Sequence, residues 1–316
     1  MKILVTGGFG YLGARIAEFL VRQGHYVLVG TRDSKTRSVN EKYNSKIVQI
    51  SWNEQEKIDE ICKGIDVVIH TAGMNATECA VNPVSALEVN SVYTSRLVQS
   101  SIKNGVSRFL YISTVHVYSD LLQGVISEDS CPVNLHPYAY SHKVAEDVVN
   151  YANKKGLIEG LVIRLSNGIG APIYKDTNCW KLLVNDLCMQ SVRDRKLLLH
   201  SDGTQSRNFI PISEVCNLIY HLVCKNLLNN LDSYSTPINV GMEQSYTILE
   251  MAELIQDRSY KLLGYLPPIS KTERTSDNSR LMLDYKIDTL LSLGYKFQYS
   301  IEDEIDALIK YCYKQF

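Results

Sequence analysis

The sequence predicts an α/β fold, a doubly wound and mostly parallel sheet followed by a smaller mixed C-terminal lobe. Three observations carry this. An apolar run, Ile3-Leu4-Val5, leads straight into T-G-x-x-G-x-x-G at positions 6–13. Apolar runs and helical stripes then alternate through the first half of the chain. Beyond Asn167 the alternation stops, and Pro172, Pro211, Pro237 and Pro267-Pro268 cut the chain into shorter pieces.

The first element is a strand ending in a glycine loop. Gly7 stands where the chain turns sharply and needs positive φ, Gly10 where backbone must approach a ligand closely, and Gly13 where a helix must lie close to the sheet. The helix that follows shows Leu12, Ile16, Phe19 and Leu20 as one stripe and stops at Gly24. Its N-terminus offers unpaired N–H groups and a positive dipole end to an anion. Tyr26–Val29 is the next apolar run. Strand, loop, helix and strand in this order read as a Rossmann dinucleotide site, with Phe9, Tyr11 and Leu12 in the same loop.

Further along, strands are expected at Lys46–Ile50, Asp66–Thr71, Arg108–Ser113 and Leu161–Leu165, with a helix near Gln55–Lys63. Asn82-Pro83 reads as an N-cap and first helical position, opening a long helix to about Asn104-Gly105. Another helix is expected from about Tyr138 to Lys155-Gly156. Such alternation builds right-handed βαβ units covered on both faces. Near the end, Ser300 and Asp303 have capping-box spacing, and Ile301, Ile305, Leu308, Ile309 and Cys312 make one apolar face. The expected division is a dinucleotide-binding domain over 1–168 plus 208–240 and a substrate lobe over 169–207 plus 241–316.

Bulk properties narrow the function. The 316 residues hold 33 basic and 34 acidic side chains, a formal net charge of -1, with no long basic block. That balance points away from nucleic acid and membrane surfaces. No apolar run approaches the ~20 residues of a membrane span, and the apolar start is too short for a signal-peptide core. The eight cysteines (62, 79, 131, 179, 188, 216, 224 and 312) form no C-x-x-C, and the histidines show no paired metal spacing. Buried free thiols in a cytoplasmic protein without a metal are the expectation.

Four further segments fall in order after the glycine loop. They are Ser113-Thr114-Val115-His116-Val117-Tyr118, Tyr138-Ala139-Tyr140-Ser141-His142-Lys143-Val144-Ala145-Glu146, Arg164-Leu165-Ser166-Asn167-Gly168-Ile169-Gly170-Ala171-Pro172 and Arg207-Asn208-Phe209-Ile210. Together they resemble the extended short-chain dehydrogenase/reductase family, in particular its nucleotide-sugar epimerases, dehydratases and reductases, over essentially the whole chain. The resemblance implies that Thr114 hydrogen-bonds the reacting oxygen, Tyr138 moves the proton and Asn90 supports them. It places the cofactor along the glycine loop and along Thr71, Ala72 and Gly73. It also implies a homodimer built on the two long helices.

One position departs from the family pattern Y-x-x-x-K. Four residues after Tyr138 stands His142, with Lys143 one place later. Tyr138 and His142 share a helix face, whereas Lys143 is rotated about 100° away. Ala145-Glu146 keeps the family register only with His142 at the lysine position. A free tyrosine titrates near 10, and a histidine near 6.5 is mostly neutral at pH 7. Catalysis is therefore expected to run with a weaker electrostatic assist, His142 still hydrogen-bonding the cofactor ribose.

The second strand runs into Gly30-Thr31-Arg32, with Thr31 where an acid would hold the ribose of NAD. Without that carboxylate a 2′-phosphate is not repelled, and Arg32, helped by Arg37, can pair with it, although Asp33 is near. NADP is favoured, with NAD the alternative. The resemblance assigns Asn167, Arg207 and Arg274, the last ahead of a helix expected over Asp284–Leu293, to the substrate's pyrophosphate and nucleoside. Val115-His116 replaces the Asp-Glu pair of the family's dehydratases, and His116 is an acid/base, a substrate hydrogen bond or a core histidine. Reduction of a 4-keto nucleotide sugar is favoured. The alternatives are a 4-epimerase with tightly bound NAD and a non-catalytic dinucleotide sensor.

Overall fold

A computed structural model describes residues 1–32, 44–224, 237–272 and 282–316. Two compact units are present. The first comprises Met1–Asp120, Ser130–Leu165 and Cys216–Asn239, and the second Leu121–Asp129, Ser166–Val215 and Val240–Phe316.

In the first unit β1 (Lys2–Thr6), β2 (Tyr26–Thr31), β3 (Ser45–Gln49), β4 (Val67–His70) and β5 (Arg108–Thr114) join Glu159–Leu165 and Ile238–Val240 in a seven-stranded sheet. Its order is Ile238–Val240, Glu159–Leu165, β5, β4, β1, β2, β3. β1 pairs in parallel with β2 on one side and β4 on the other, so the chain winds outward from β1 in both directions. That reversal between β1 and β4 opens a crevice beyond the strand C-termini, where open α/β sheets bind ligands. β4 and β5 are buried at every residue, which explains their unbroken apolar runs. Leu4, Leu28, Val68 and Phe109 from the strands meet Ile58 of α2 (Gln55–Cys62), Leu97 and Val149 in one core. α1 (Tyr11–Arg22) buries Gly13, Ala14, Ile16, Ala17 and Leu20, so Ile16 and Leu20 of the expected stripe face the core, whereas Leu12 and Phe19 are only half-buried.

The helix expected over Asn82–Asn104 is three pieces. The Asn82 side chain accepts from Ser85 N and Pro83 takes the first position, as the sequence indicates. After Pro83–Ala86 the chain widens into a π-turn at Leu87–Val92 and resumes as Tyr93–Lys103, capped at Asn104. A π-turn holds an extra residue, which no apolar periodicity announces. The helix Pro137–Lys154 starts one residue before Tyr138.

In the second unit Ser206–Pro211 pairs with Ser245–Thr247 and with Asn167–Ile169. Gly124–Ile126 pairs with Leu283–Tyr285, which explains why Leu121–Asp129 belongs here. Part of the helix expected over Asp284–Leu293 is therefore strand, and only Asp288–Ser292 is helical. Helices Leu183–Arg193, Ile248–Leu263 and Ile301–Gln315 enclose a separate core around Leu187, Phe209, Met251 and Ile305. Ser300 caps the last helix by accepting from Asp303 N, and Ile301, Ile305, Leu308, Ile309 and Cys312 are all buried. Six of the cysteines are buried, but Cys131 and Cys224 are exposed, contrary to the expectation of buried thiols throughout.

Candidate active site

Gly7 has φ +65, and a Cβ there would lie 2.9 Å from Ala72 N, so the loop rests on the chain leaving β4. A Cβ on Gly13 would lie 2.3 Å from the Gly7 carbonyl oxygen and 2.7 Å from Thr71 Oγ1. Gly13 is thus required by contact with the loop itself and with Thr71. Gly10 caps α1 with no side-chain hydrogen bond, and the first turn holds no acidic residue. An uncapped helix start beside a glycine cradle fits the pyrophosphate of a dinucleotide.

A cavity of about 380 Å³ opens on this loop. Gly7, Phe9, Gly10, Thr31, Arg32, Thr71, Ala72 and Gly73 line it, as expected cofactor-side residues. Tyr11, Leu12 and Gly13 are in α1 and do not line it. Gly30 completes the wall together with Ile50, Trp52, Val89 and Tyr93, four residues that the sequence reading missed. Trp52 and Tyr93 stack in parallel, ring centroids 5.4 Å apart. Trp52 stands just past β3, where continuing the strand's line could have found it; Tyr93 arrives only through tertiary packing. Arg32 is exposed and its carbonyl accepts from Gln49 Nε2. Arg37 and Asp33 lie outside the described residues.

Tyr138 and His142 come together one helical turn apart, ring centroids 4.3 Å apart. His136 caps the helix, its Nδ1 accepting from Tyr138 N at 3.2 Å. His142 Nδ1 is 2.8 Å from the Tyr138 carbonyl oxygen and donates to it. Burial pushes the imidazole down to about 4, so it is neutral with a bare Nε2. Nε2 lies on the Gly73 side, 3.8 Å from where a Cβ on Gly73 would stand. Lys143 turns away and pairs with Asp147. Burial raises the Tyr138 phenol above its ordinary value, and a hydrogen bond with Thr114 at the end of β5 only partly offsets this. Among the described residues no cation lowers the phenol, which therefore keeps its proton at neutral pH.

Asn90 is fully buried in the π-turn. Its Oδ1 accepts from Met74 N at 2.8 Å and its Nδ2 donates to Ser141 Oγ at 2.9 Å. His116 is half-buried on the short turn Val115–Val117, and its carbonyl accepts from Asn134 Nδ2. It is close enough to His142 to disfavour a charge there. In the second unit, Asn167 Nδ2 donates to the Asn208 carbonyl. Burial lowers Arg207, whose Nη2 is 3.5 Å from Gln205 Oε1; among the described residues no carboxylate pairs with it. Arg274 lies outside the described residues.

The sequence model of the NAD dependent epimerase/dehydratase family matches residues 3–241. UDP-glucuronic acid decarboxylase 1 of Danio rerio is 25% identical over 318 residues, covering 98% of this chain and 72% of its own. A putative UDP-glucose 4-epimerase of Methanocaldococcus jannaschii is 23% identical over 315 residues, covering 98% and 97%. Among solved structures, the UDP-N-acetylglucosamine 4-epimerase of Methanobrevibacter ruminantium with UDP-N-acetylmuramic acid superposes with a TM-score of 0.82 at 19% identity, covering 100% of this chain and 99% of that one. The UDP-glucuronic acid 4-epimerase of Bacillus cereus with UDP-glucuronic acid and NAD gives 0.78 at 20% identity, covering all of both chains. Those two structures share the fold. The family match spans the glycine loop, the cavity wall and the Tyr138 helix, and the chain belongs to the NAD-dependent epimerase/dehydratase family of enzymes.

Proposed function

We propose that this enzyme is an NADP-dependent reductase of a 4-keto nucleotide sugar. One observation carries the direction: Tyr138 is a half-buried tyrosine whose phenol, raised by desolvation, stands beside a neutral imidazole, which suits it to act as an acid rather than a resting base. The bound reduced nicotinamide would supply the hydride to the carbonyl carbon. Thr114 hydrogen-bonds the carbonyl oxygen, and Tyr138 gives that oxygen its proton, leaving an alcohol and a phenolate that solvent reprotonates. His142 presents Nε2 to a ribose hydroxyl as acceptor. Thr31 stands at the end of β2 in place of an acid that would repel a 2′-phosphate, and Arg32 beside it in the cavity wall can pair with one.

The nucleotide sugar is supported by the names of the relatives, which act on UDP-sugars. It is supported also by Arg207, whose half-buried guanidinium suits a diphosphate. Asn167 and Arg274 are assigned to the same substrate's diphosphate and nucleoside, and His116 is assigned a hydrogen bond to the sugar. A cytoplasmic homodimer completes the reading. Among the described residues no helix is long and apolar enough to cross a membrane. Val84, Val144 and Tyr151 leave exposed apolar surface on the two helical segments expected to pair. The 4-epimerase with retained NAD is the second reading, favoured by the names of several relatives.

Native mass spectrometry followed by assay against a panel of 4-keto nucleotide sugars tests both. The expected result is a dimer without retained cofactor that consumes NADPH faster than NADH. A protein that keeps NAD and interconverts C4 epimers without consuming reductant would replace this reading with the epimerase.

A further inference from the structure

A buried hydrogen-bond chain runs from the glycine loop to the π-turn. Thr71 Oγ1 donates to the Thr6 carbonyl at 2.7 Å. Thr6 Oγ1 lies 2.6 Å from His70 Nδ1, and His70 Nε2 lies 2.8 Å from Thr94 Oγ1. The Thr94 hydroxyl donates to the Asn90 carbonyl at 2.6 Å. Thr6, His70, Asn90 and Thr94 are each 1% exposed or less.

Counting protons fixes the direction of every link. The Asn90 carbonyl can only accept, so it takes the single hydroxyl proton of Thr94. Thr94 Oγ1 must then accept from His70 Nε2–H. Burial keeps this imidazole neutral, pushed down to about 3, so Nδ1 is bare and accepts from the Thr6 hydroxyl. His70 therefore holds the tautomer opposite to that of His142. From Asn90 the chain continues: Asn90 Nδ2 donates to Ser141 Oγ, which donates to the Tyr138 carbonyl, and Ser91 Oγ donates to the Ser141 carbonyl. Three apolar side chains could fill the same space without desolvating a polar group. What the polar chain adds is a single permitted geometry.

We propose that His70 is a positioning residue that couples the cofactor loop to the Asn90 turn, and through it to Tyr138. Its link to turnover rests on the hydride-transfer reading above; its link to cofactor binding does not. Four variants separate the roles. His70→Phe keeps the ring and removes both bonds, and His70→Gln offers one acceptor and one donor. Thr94→Val removes the hydroxyl, and Thr94→Ser keeps it.

NADPH affinity, read by fluorescence titration, should fall on the order of fivefold in His70→Phe and in Thr94→Val. The double variant should be no weaker than the weaker single. Thr94→Ser should match wild type, and His70→Gln should recover part of the loss. With a turned-over nucleotide sugar, kcat should fall about tenfold or more in His70→Phe while KM moves little. Nitrogen-15 NMR of the imidazoles should show His70 as the Nε2–H tautomer. Wild-type NADPH affinity in folded His70→Phe, additive losses in the double variant, or an Nδ1–H tautomer would each overturn the coupling, even where no sugar is turned over.

Discussion

His142 replaces a permanent charge with a neutral acceptor, and the chemistry of the site follows from that exchange. A phenol that acts as an acid loses activity as pH rises through its own pKa. Because burial raises Tyr138, a reduction of the kind proposed should persist into alkaline solution. In His142→Lys an ammonium would stand beside the ring and favour the phenolate. The alkaline limb of kcat should then move to lower pH by about one unit. An unchanged profile would show that position 142 does not set the acidity of Tyr138. This exchange was legible from the resemblance, because Tyr138, His142 and Ala145-Glu146 hold the family register along one helix. The tautomer was not, since it depends on which carbonyl the folded ring meets.

At the scale of elements, the glycine loop and the capped helices were written locally and could be read locally. Gly7, Gly24 and Gly105 take positive φ where the sequence ends an element, and Asn82 and Ser300 cap where they were expected to. The π-turn and the Trp52–Tyr93 wall escaped notice because they depend on partners many residues away. The helix Pro137–Lys154 carries a second non-local device. Glu146, fully buried, accepts from Ser113 Oγ at 2.5 Å and grips the Arg164 guanidinium, thereby joining the helix to β5 and to Glu159–Leu165. Arg164 also lies over the Tyr118 ring. Removing one partner leaves a buried charge without its counter-ion, so Glu146→Ala should lose about 3–5 kcal/mol in urea unfolding. A loss below 1 kcal/mol would mean that Arg164 finds water or another acceptor.

At the scale of the whole molecule, two buried imidazoles beside the site, His70 and His142, contribute to an acid limit on stability. His70 and His142 are held neutral in the folded chain, down to about 3 and about 4, whereas in the unfolded chain they titrate near 6.5. Below pH 6.5 the unfolded state binds protons that the native state refuses. Their contribution is therefore complete above about pH 6.5 and is lost as pH falls to about 4 for His142 and about 3 for His70. Unfolding near pH 5 should take up roughly two protons through this pair, measurable by calorimetry in buffers of different ionisation enthalpy. His70→Phe should remove about one of them; an unchanged uptake would mean that the ring is not buried neutral. Alternating strands and helices made the sheet predictable over the first half of the chain. The second unit was harder to read, because its short strands pair across long separations, as Gly124–Ile126 does with Leu283–Tyr285.

The placement of Trp52 has a consequence for experiment. The chain holds two tryptophans, Trp52 in the wall of the glycine-loop cavity proposed for the dinucleotide and Trp180 against Tyr311 and Phe316 in the second unit. With Trp180 replaced by phenylalanine, the remaining indole becomes a built-in optical probe, able to pass excitation energy to a reduced nicotinamide nearby. Occupancy of the site can then be followed by light alone, before any sugar has been identified.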